Sequence, residues 1–273
     1  VAERRLDLEA PVGRWVPAFA AGERGAISTR HLLTHSSGLP AHARVWESVS
    51  GRDEFERAIA ALQLERAPGT RSVYSDPGFM LLGFALENAA NAPLDAQFQP
   101  LAAALGEIGY LPQPALLDRI APTEQGPWRR RLLRGEVHNE NAPPLGGVAA
   151  HAGLFGTAKA VGTFARLVLR TFRETTPLGT PALMRLFATR TSVPDSSRAL
   201  GWDTMLPTSP CGTRMSSTAI GHTGFTGTSL WIDHEKDLYV VFLTNRVHPT
   251  RANEALAALR PKVHDAAMED ACN

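Results

Sequence analysis

The chain has only two cysteines, Cys211 and Cys272, among its 273 residues. This number excludes a scaffold held by several disulfides and a zinc site built from several thiolates, and it allows one disulfide at most. The sequence has no run of eighteen apolar residues and no charged-then-apolar leader, so it predicts no membrane-spanning or targeting segment. Like charges cluster only at Arg129 to Arg131 and the formal net charge is +1, so nucleic acid and membrane surfaces are not favoured as partners.

Lysine is also scarce. Almost all of the 28 basic residues are arginine, and the lysines are Lys159, Lys236 and Lys262.

The length and the 44% hydrophobic content are sufficient for a sizeable core, in one large domain or two small ones. We expect no metal ion and no cofactor, and we interpret the arginine cluster as a solvated loop.

Helix signals mark the first two thirds of the chain. Ser28 is placed to cap a short helix, with Ile27 and Leu32 as a hydrophobic staple, and Gly38 with Pro40 is expected to end it. Further on, an amphipathic stretch runs from Asp53 to Leu64, Asp76 is placed as a cap with Pro77 in the first helical position, and Thr157 is expected to cap a helix that reaches about Phe172.

The clearest strands lie in the last third. Ser229 to Ile232 and Leu238 to Thr244 flank a polar turn and predict an antiparallel hairpin, whose second strand is apolar on both faces and is expected to be covered on both sides. A helix is predicted from Ala252 to Arg260, ending at Pro261. The segment from Ala92 to Pro144 has poor periodicity and predicts no firm element.

This order of elements predicts an α+β fold rather than an alternating one. We expect a single domain over residues 1–273, with a mainly helical region from Ile27 to Phe172 and an antiparallel sheet plus a C-terminal helix at 200–265. The cleft is expected between the two regions.

Three segments resemble the β-lactamase-related serine hydrolases, the family of penicillin-binding proteins and class C β-lactamases. Ile27 to Pro40 is similar to a frequent stretch of that family, I-T-I-R-H-L-L-T-H-T-S-G-L-P. Tyr-Ser-Asp at 74–76 resembles its Tyr-x-Asn motif, and His-Thr-Gly at 222–224 resembles its Lys-Thr-Gly or His-x-Gly strand motif. The segment from Arg134 to Thr157 looks like the esterase or D-alanyl-D-alanine carboxypeptidase branch.

The resemblance implies roles for individual residues. In that family a serine attacks a carbonyl, a lysine three residues later assists its deprotonation, and a tyrosine relays the proton. Tyr74 matches the tyrosine, and Asp76 matches the polar side chain that holds substrate and lysine. His222, Thr223 and Gly224 match the strand that receives the substrate, and the main-chain N–H of Phe225 matches an oxyanion donor.

The Ser-x-x-Lys pair of that family is missing from this sequence. Gly156, Asp233 and Leu259 stand three residues before the lysines, and none is serine. By the family's pattern the pair precedes the segment that matches Val1 to Pro17, together with the first sheet strands. We therefore expect an N-terminally incomplete chain that is inactive by itself.

Two functional hypotheses follow. In the first, the intact protein is an acyl-serine hydrolase of esters, amides or D-alanyl peptides, including peptidoglycan peptides. Its own N-terminal segment is then a partner of this chain, and the resemblance implies a periplasmic or secreted location. In the second, the chain is a truncated or degenerate relative that only binds a ligand or partner.

Several of these residues also have plainer interpretations. Asp76 before a proline is often only a helix cap. His31 and His35 stand four apart, but Leu32 occupies the place of a zincin's glutamate, so metal binding is not favoured. Ser36 and Ser37 are expected to be structural. His138 and His151 could line the cleft, but a histidine hydrogen-bonded to loop backbone is the commoner case.

Overall fold

The computed structural model describes residues 5–272, with side chains through Ala271. Its α-helices are α1 (Thr29–Leu33), α2 (Arg52–Ala61), α3 (Asp76–Ala90), α4 (Leu94–Leu105), α5 (Ala158–Thr171), α6 (Pro181–Ala188) and α7 (Ala255–Cys272). Its strands are β1 (Ile108–Gly109), β2 (Gln125–Gly126), β3 (Arg131–Leu132), β4 (Phe155–Gly156), β5 (Asp203–Thr204), β6 (Ile220–Thr223), β7 (Thr228–Asp233) and β8 (Leu238–Leu243).

The main sheet has four strands in the order β5-β6-β7-β8, and every pair is antiparallel. Two small antiparallel ladders, β1 with β4 and β2 with β3, lie within the otherwise helical part of the chain. The predicted α+β class, with an antiparallel sheet flanked by helices, is confirmed. Within residues 5–272 there is no helix that combines the length and the apolar character needed to cross a membrane.

Neighbouring residues of β7 face opposite sides of the sheet, as strand geometry requires. Ile232 belongs to a core cluster with residues of α5 and α6, whereas Trp231 packs with Met268 of α7. A separate apolar core holds α2 and α3 together through fully buried side chains such as Phe55 and Leu81. The sheet therefore has helices on both faces, and the helical region has a core of its own.

The predicted hairpin is confirmed as β7 and β8, and the β8 residues before Leu243 are half-buried between neighbouring helices rather than fully covered. Thr157 caps α5 as expected, because its hydroxyl accepts the N–H of Ala160 at 3.2 Å. α4 lies in the segment from Ala92 to Pro144, where no firm element was predicted, and α6 was not predicted.

Three helix ends differ from the predictions. α1 ends at Leu33, well before Gly38, because the backbone of His35 turns into the left-handed region at φ 53°. α7 begins later than predicted and passes through Pro261, since His264 and Met268 beyond the proline are buried and anchor the helix against the sheet. The third difference, at Asp76, belongs to the site described below. Cys211 is buried and unpaired, and the side chain of Cys272 lies outside the described residues.

Candidate active site

Tyr74 lies just before α3, where an extended segment enters the helix. Its ring centroid is 4.7 Å from that of His35 and 6.1 Å from that of His222 on β6, and 38% of the residue is exposed. The helical region and the sheet thus meet at this phenol. The predicted neighbourhood of Tyr74 and His222 is present in the structure.

Asp76 is not the helix cap that its position before Pro77 indicates. The hydroxyl of Ser75 accepts the N–H of Gly78 at 3.0 Å and donates to the carbonyl of Pro40 at 2.7 Å, so Ser75 is the cap. Asp76 becomes the first residue of α3, and its buried carboxylate is available for other partners.

Besides Tyr74, Asn139 and His42 contact the Asp76 carboxylate among the described residues. Asn139 donates its Nδ2 to Oδ2 at 3.2 Å, and Nδ1 of His42 lies 3.4 Å from the same oxygen. The Oδ1 of Asn139 accepts the N–H of Asn141 at 2.9 Å and lies 3.0 Å from Nε2 of His151, which is therefore the donor. These bonds fix the orientation of the Asn139 amide toward Asp76.

His222 and Arg198 form a close pair near the Tyr74 ring. A guanidinium nitrogen of Arg198 lies 3.0 Å from Nε2 of His222, and Nδ1 of His222 lies 2.9 Å from the carbonyl oxygen of Thr223. Because a guanidinium only donates, Nε2 must accept, so the ring is neutral and Nδ1–H donates to Thr223. Burial and the charge of Arg198 both lower the pKa of His222, in agreement with a neutral ring.

The Arg198 guanidinium also lies 5.8 Å from the centroid of the Tyr74 ring. Within residues 5–272 no carboxylate forms a salt bridge with Arg198. A half-buried cation without an anionic partner therefore stands beside Tyr74 and His222.

Thr223, Gly224 and Phe225 continue from β6 into the turn that leads to β7. Gly224 has no room for a side chain, because a Cβ there would lie 2.3 Å from Oγ1 of Thr228. Phe225 is 57% exposed as a residue, and its main-chain N–H makes no hydrogen bond within the described part of the chain. A free N–H is what an oxyanion donor requires.

The pKa of Tyr74 is shifted upward, away from neutral pH. Burial and, after it, the charge and hydrogen bond of Asp76 raise the pKa of Tyr74 above its ordinary value, and Arg198 only partly opposes them. The phenol is therefore protonated at neutral pH.

The structure brings Tyr74, Asp76 and His222 together, with Thr223, Gly224 and Phe225 at the adjoining strand end. Sequence reasoning missed Arg198, which stands in an irregular segment without a motif, and it assigned no role to Asn139. His35 stands in the first motif, but sequence reasoning considered it only as a disfavoured metal pair with His31 and assigned it no role beside Tyr74.

Comparison with known proteins gives the family of this chain. A sequence model of the family described as Beta-lactamase matches residues 1–264. The chain belongs to the β-lactamase family. It is 29% identical to an Escherichia coli K12 protein named as a D-alanyl-D-alanine carboxypeptidase, over 91% of this chain and 65% of that protein. It is 31% identical to an N-acetylmuramyl-L-alanine amidase of Bacillus subtilis 168, over 91% of this chain and 64% of the amidase.

Solved structures have the same fold. A penicillin-binding protein homologue from Caulobacter crescentus matches with a TM-score of 0.73 at 18% identity, over 97% of this chain and 78% of that one. A β-lactamase/D-alanine carboxypeptidase from Pseudomonas syringae matches with a TM-score of 0.73 at 20% identity, over 96% and 79%. The chain spans about two thirds of the length of the curated relatives described above.

Proposed function

We propose that this chain is the greater part of an acyl-serine hydrolase that cleaves amides or esters next to a carboxylate, with D-alanyl peptides of the cell wall as the favoured substrates. In this proposal Tyr74 relays the proton, and Asp76 holds the attacking pair. His222, Thr223 and Gly224 receive the substrate, and the N–H of Phe225 stabilises the oxyanion.

The observation that supports this substrate class is the unpaired guanidinium of Arg198. It lies 3.0 Å from His222 and over the Tyr74 ring, so a carboxylate bound there would end close to the proposed relay. Arginine binds planar carboxylates through two parallel N–H bonds, which gives direction as well as charge. The relative named as a D-alanyl-D-alanine carboxypeptidase supports the same class, and the one named as an amidase supports cleavage of an amide. An extracytoplasmic location accords with such a substrate.

We infer that the attacking serine and its lysine are supplied by polypeptide beyond these 273 residues. None of the lysines follows a serine at the third position, and covalent acyl transfer needs an attacking atom. The raised pKa of Tyr74 supports the same inference, because a lysine ammonium beside Asp76 is the cation that would lower it.

The test uses the 273-residue chain and the full reading frame that encodes it. Each is incubated with a chromogenic ester and a fluorescent penicillin, and covalent adducts are sought by intact mass. We expect a serine adduct only with the full frame, on a serine that precedes a lysine by three residues. A stoichiometric adduct on the short chain would refute the inferred position of the nucleophile, whereas a full frame without Ser-x-x-Lys would favour a non-catalytic, ligand-binding relative.

A further inference from the structure

A charged network surrounds the buried carboxylate of Glu124. The residue is 2% exposed, and its side chain accepts hydrogen bonds from the guanidinium of Arg251 at 2.6 to 3.0 Å and from the main-chain N–H of Arg251 at 3.0 Å. Burial alone would raise the pKa of Glu124, but the bonds from Arg251 and from His138 outweigh it and lower the pKa to about 2. The carboxylate is therefore ionised and holds two other segments of the chain.

His138 is the second residue that Glu124 holds. Its Nε2 lies 3.0 Å from Oε2 of Glu124, and burial lowers its pKa, so the neutral ring donates Nε2–H to the carboxylate. With this bond the plane of the imidazole is fixed, although 124 and 138 belong to an irregular part of the chain.

The ring of Phe225 lies on this network. It stacks on His138 with centroids 5.6 Å apart, and the guanidinium of Arg251 is 5.9 Å from its centroid. Arg246 is closer, at 4.3 Å, and its Nε donates to the carbonyl of Phe225 at 2.7 Å. Arg246 also donates to the carbonyls of Arg251 and Asn253, at 3.1 and 3.0 Å. The turn that carries the free N–H of Phe225 is thus tied to the segment that Glu124 anchors.

The same network reaches Asp76. Asn139, which follows His138 directly, donates to the Asp76 carboxylate at 3.2 Å. Arg129 stabilises the backbone of residues 137–139, because its guanidinium donates to the carbonyl of Val137 at 2.8 Å and to that of Asn139 at 3.3 Å. A displacement of residues 138–139 would therefore move both Phe225 and Asp76.

We propose that Glu124 is a positioning residue that fixes Phe225 relative to Asp76, holding Phe225 through Arg251 and His138 and holding Asp76 through Asn139. This rests on the proposed function only in that Asp76 and Phe225 are the residues proposed to hold the attacking pair and to stabilise the oxyanion. Glu124 contacts neither of them, so it acts through its partners. Arginine and histidine are needed at the two contacts because each presents donors in a fixed plane.

Amide hydrogen exchange on the 273-residue chain, read by NMR without any substrate, tests this inference. The reporters are the N–H groups of Gly224 and Gly227, which bond to Thr228 and Gly224 at 2.8 and 3.0 Å, and the side-chain amide of Asn139. In Glu124→Gln and in Arg251→Lys we expect exchange at the two glycines to become at least about tenfold faster, and the Asn139 amide resonances to shift, while β7 amides change little. Glu47→Gln is the control, since Glu47 is exposed and pairs with Arg44.

Arg251→Lys retains the positive charge but loses the planar fork, so it decides the question if Glu124→Gln fails to fold. A folded variant with unchanged exchange at Gly224 and Gly227 would overturn the proposal. An equal acceleration at all amides would overturn it as well, because that is the signature of lost global stability alone. Since no ligand or turnover enters the measurement, its result stands apart from whether D-alanyl peptides are the substrate.

Discussion

Nδ1 of His35 accepts the main-chain N–H of Ser75 at 3.1 Å, and this bond joins the end of the first family motif to the start of the second. The His35 ring also lies between Tyr74 and Phe79, with centroid distances of 4.7 and 4.6 Å. The backbone of His35 enters the left-handed region so that the ring can reach this place. His35, the last residue of His-Leu-Leu-Thr-His, therefore packs against the Tyr74 ring and holds the backbone next to it.

We expect His35→Ala to destabilise the chain by about 2 to 4 kcal/mol, because the buried N–H of Ser75 loses its acceptor and the ring leaves a cavity. His35→Asn should cost less, since asparagine tolerates the left-handed backbone and retains an acceptor. Urea unfolding of both variants measures the difference. Equal stability of His35→Ala and the parent chain would refute this role.

The pairing of Arg198 with His222 leads to a binding prediction for the chain as it stands. N-acetyl-D-alanyl-D-alanine should bind more tightly than its C-terminal amide, and Arg198→Gln should abolish most of that preference, about tenfold or more, because a charge-assisted bond is lost. Isothermal titration calorimetry measures both constants. Arg173→Gln is the matched control, since Arg173 is exposed and pairs with Asp237 at 2.9 Å, in the hairpin turn. Equal affinity for acid and amide in the parent chain would contradict the proposed carboxylate site.

The proton relay is tested at Tyr74 in the polypeptide that includes Ser-x-x-Lys. Tyr74→Phe should lower kcat by roughly a hundredfold or more if the phenol transfers the proton. Tyr239→Phe is the control, because Tyr239 lies on β8 and its hydroxyl bonds to Arg166 at 2.6 Å. Undiminished ester hydrolysis by Tyr74→Phe would remove this residue from the mechanism.

Local chemistry made part of this architecture predictable. Thr157 was identified as a cap because a hydroxyl at a helix start has a backbone partner within three residues. The order of Tyr74, Asp76 and His222 likewise indicated one site. Arg198 and Asn139 gave no such signal, since their partners lie 24 and 63 residues away along the chain. Tertiary packing also overrode the proline rule at Pro261, where burial of His264 and Met268 beyond it maintains the helix.

Two buried histidines predict acid sensitivity. Burial, the largest cause in each case, lowers the pKa of His35 to about 3 and that of His264 to about 4, whereas the unfolded chain titrates near ~6.5. Between these values the unfolded state binds more protons, so the free energy of unfolding must fall as the pH drops below about 6.5. His264→Gln should reduce the slope between pH 6 and 4 by up to about 1.4 kcal/mol per pH unit. Urea titrations at several pH values measure this, and a flat profile from pH 7 to 4.5 would contradict it.

Gly38 and Gly51 both have a positive φ, and only Gly38 is in close contact with another segment. Comparing alanine at the two positions distinguishes the cost of backbone strain from the cost of a steric clash. Their φ angles are 82° and 83°, but a Cβ on Gly38 would lie 2.1 Å from the carbonyl oxygen of Arg66, whereas one on Gly51 would meet nothing within 4 Å. Gly51→Ala should therefore cost only the backbone strain at φ 83° and ψ 156°, about 1 to 3 kcal/mol. Gly38→Ala should cost about 2 kcal/mol more, because the backbone at Arg66 must shift. It also follows Ser37, whose hydroxyl accepts the N–H of Leu39 at 3.3 Å, so the shift would disturb the segment that leads to Pro40 and the Ser75 cap. Thermal unfolding of the two variants side by side measures the difference, and equal losses would show that the contact with Arg66 relaxes without cost.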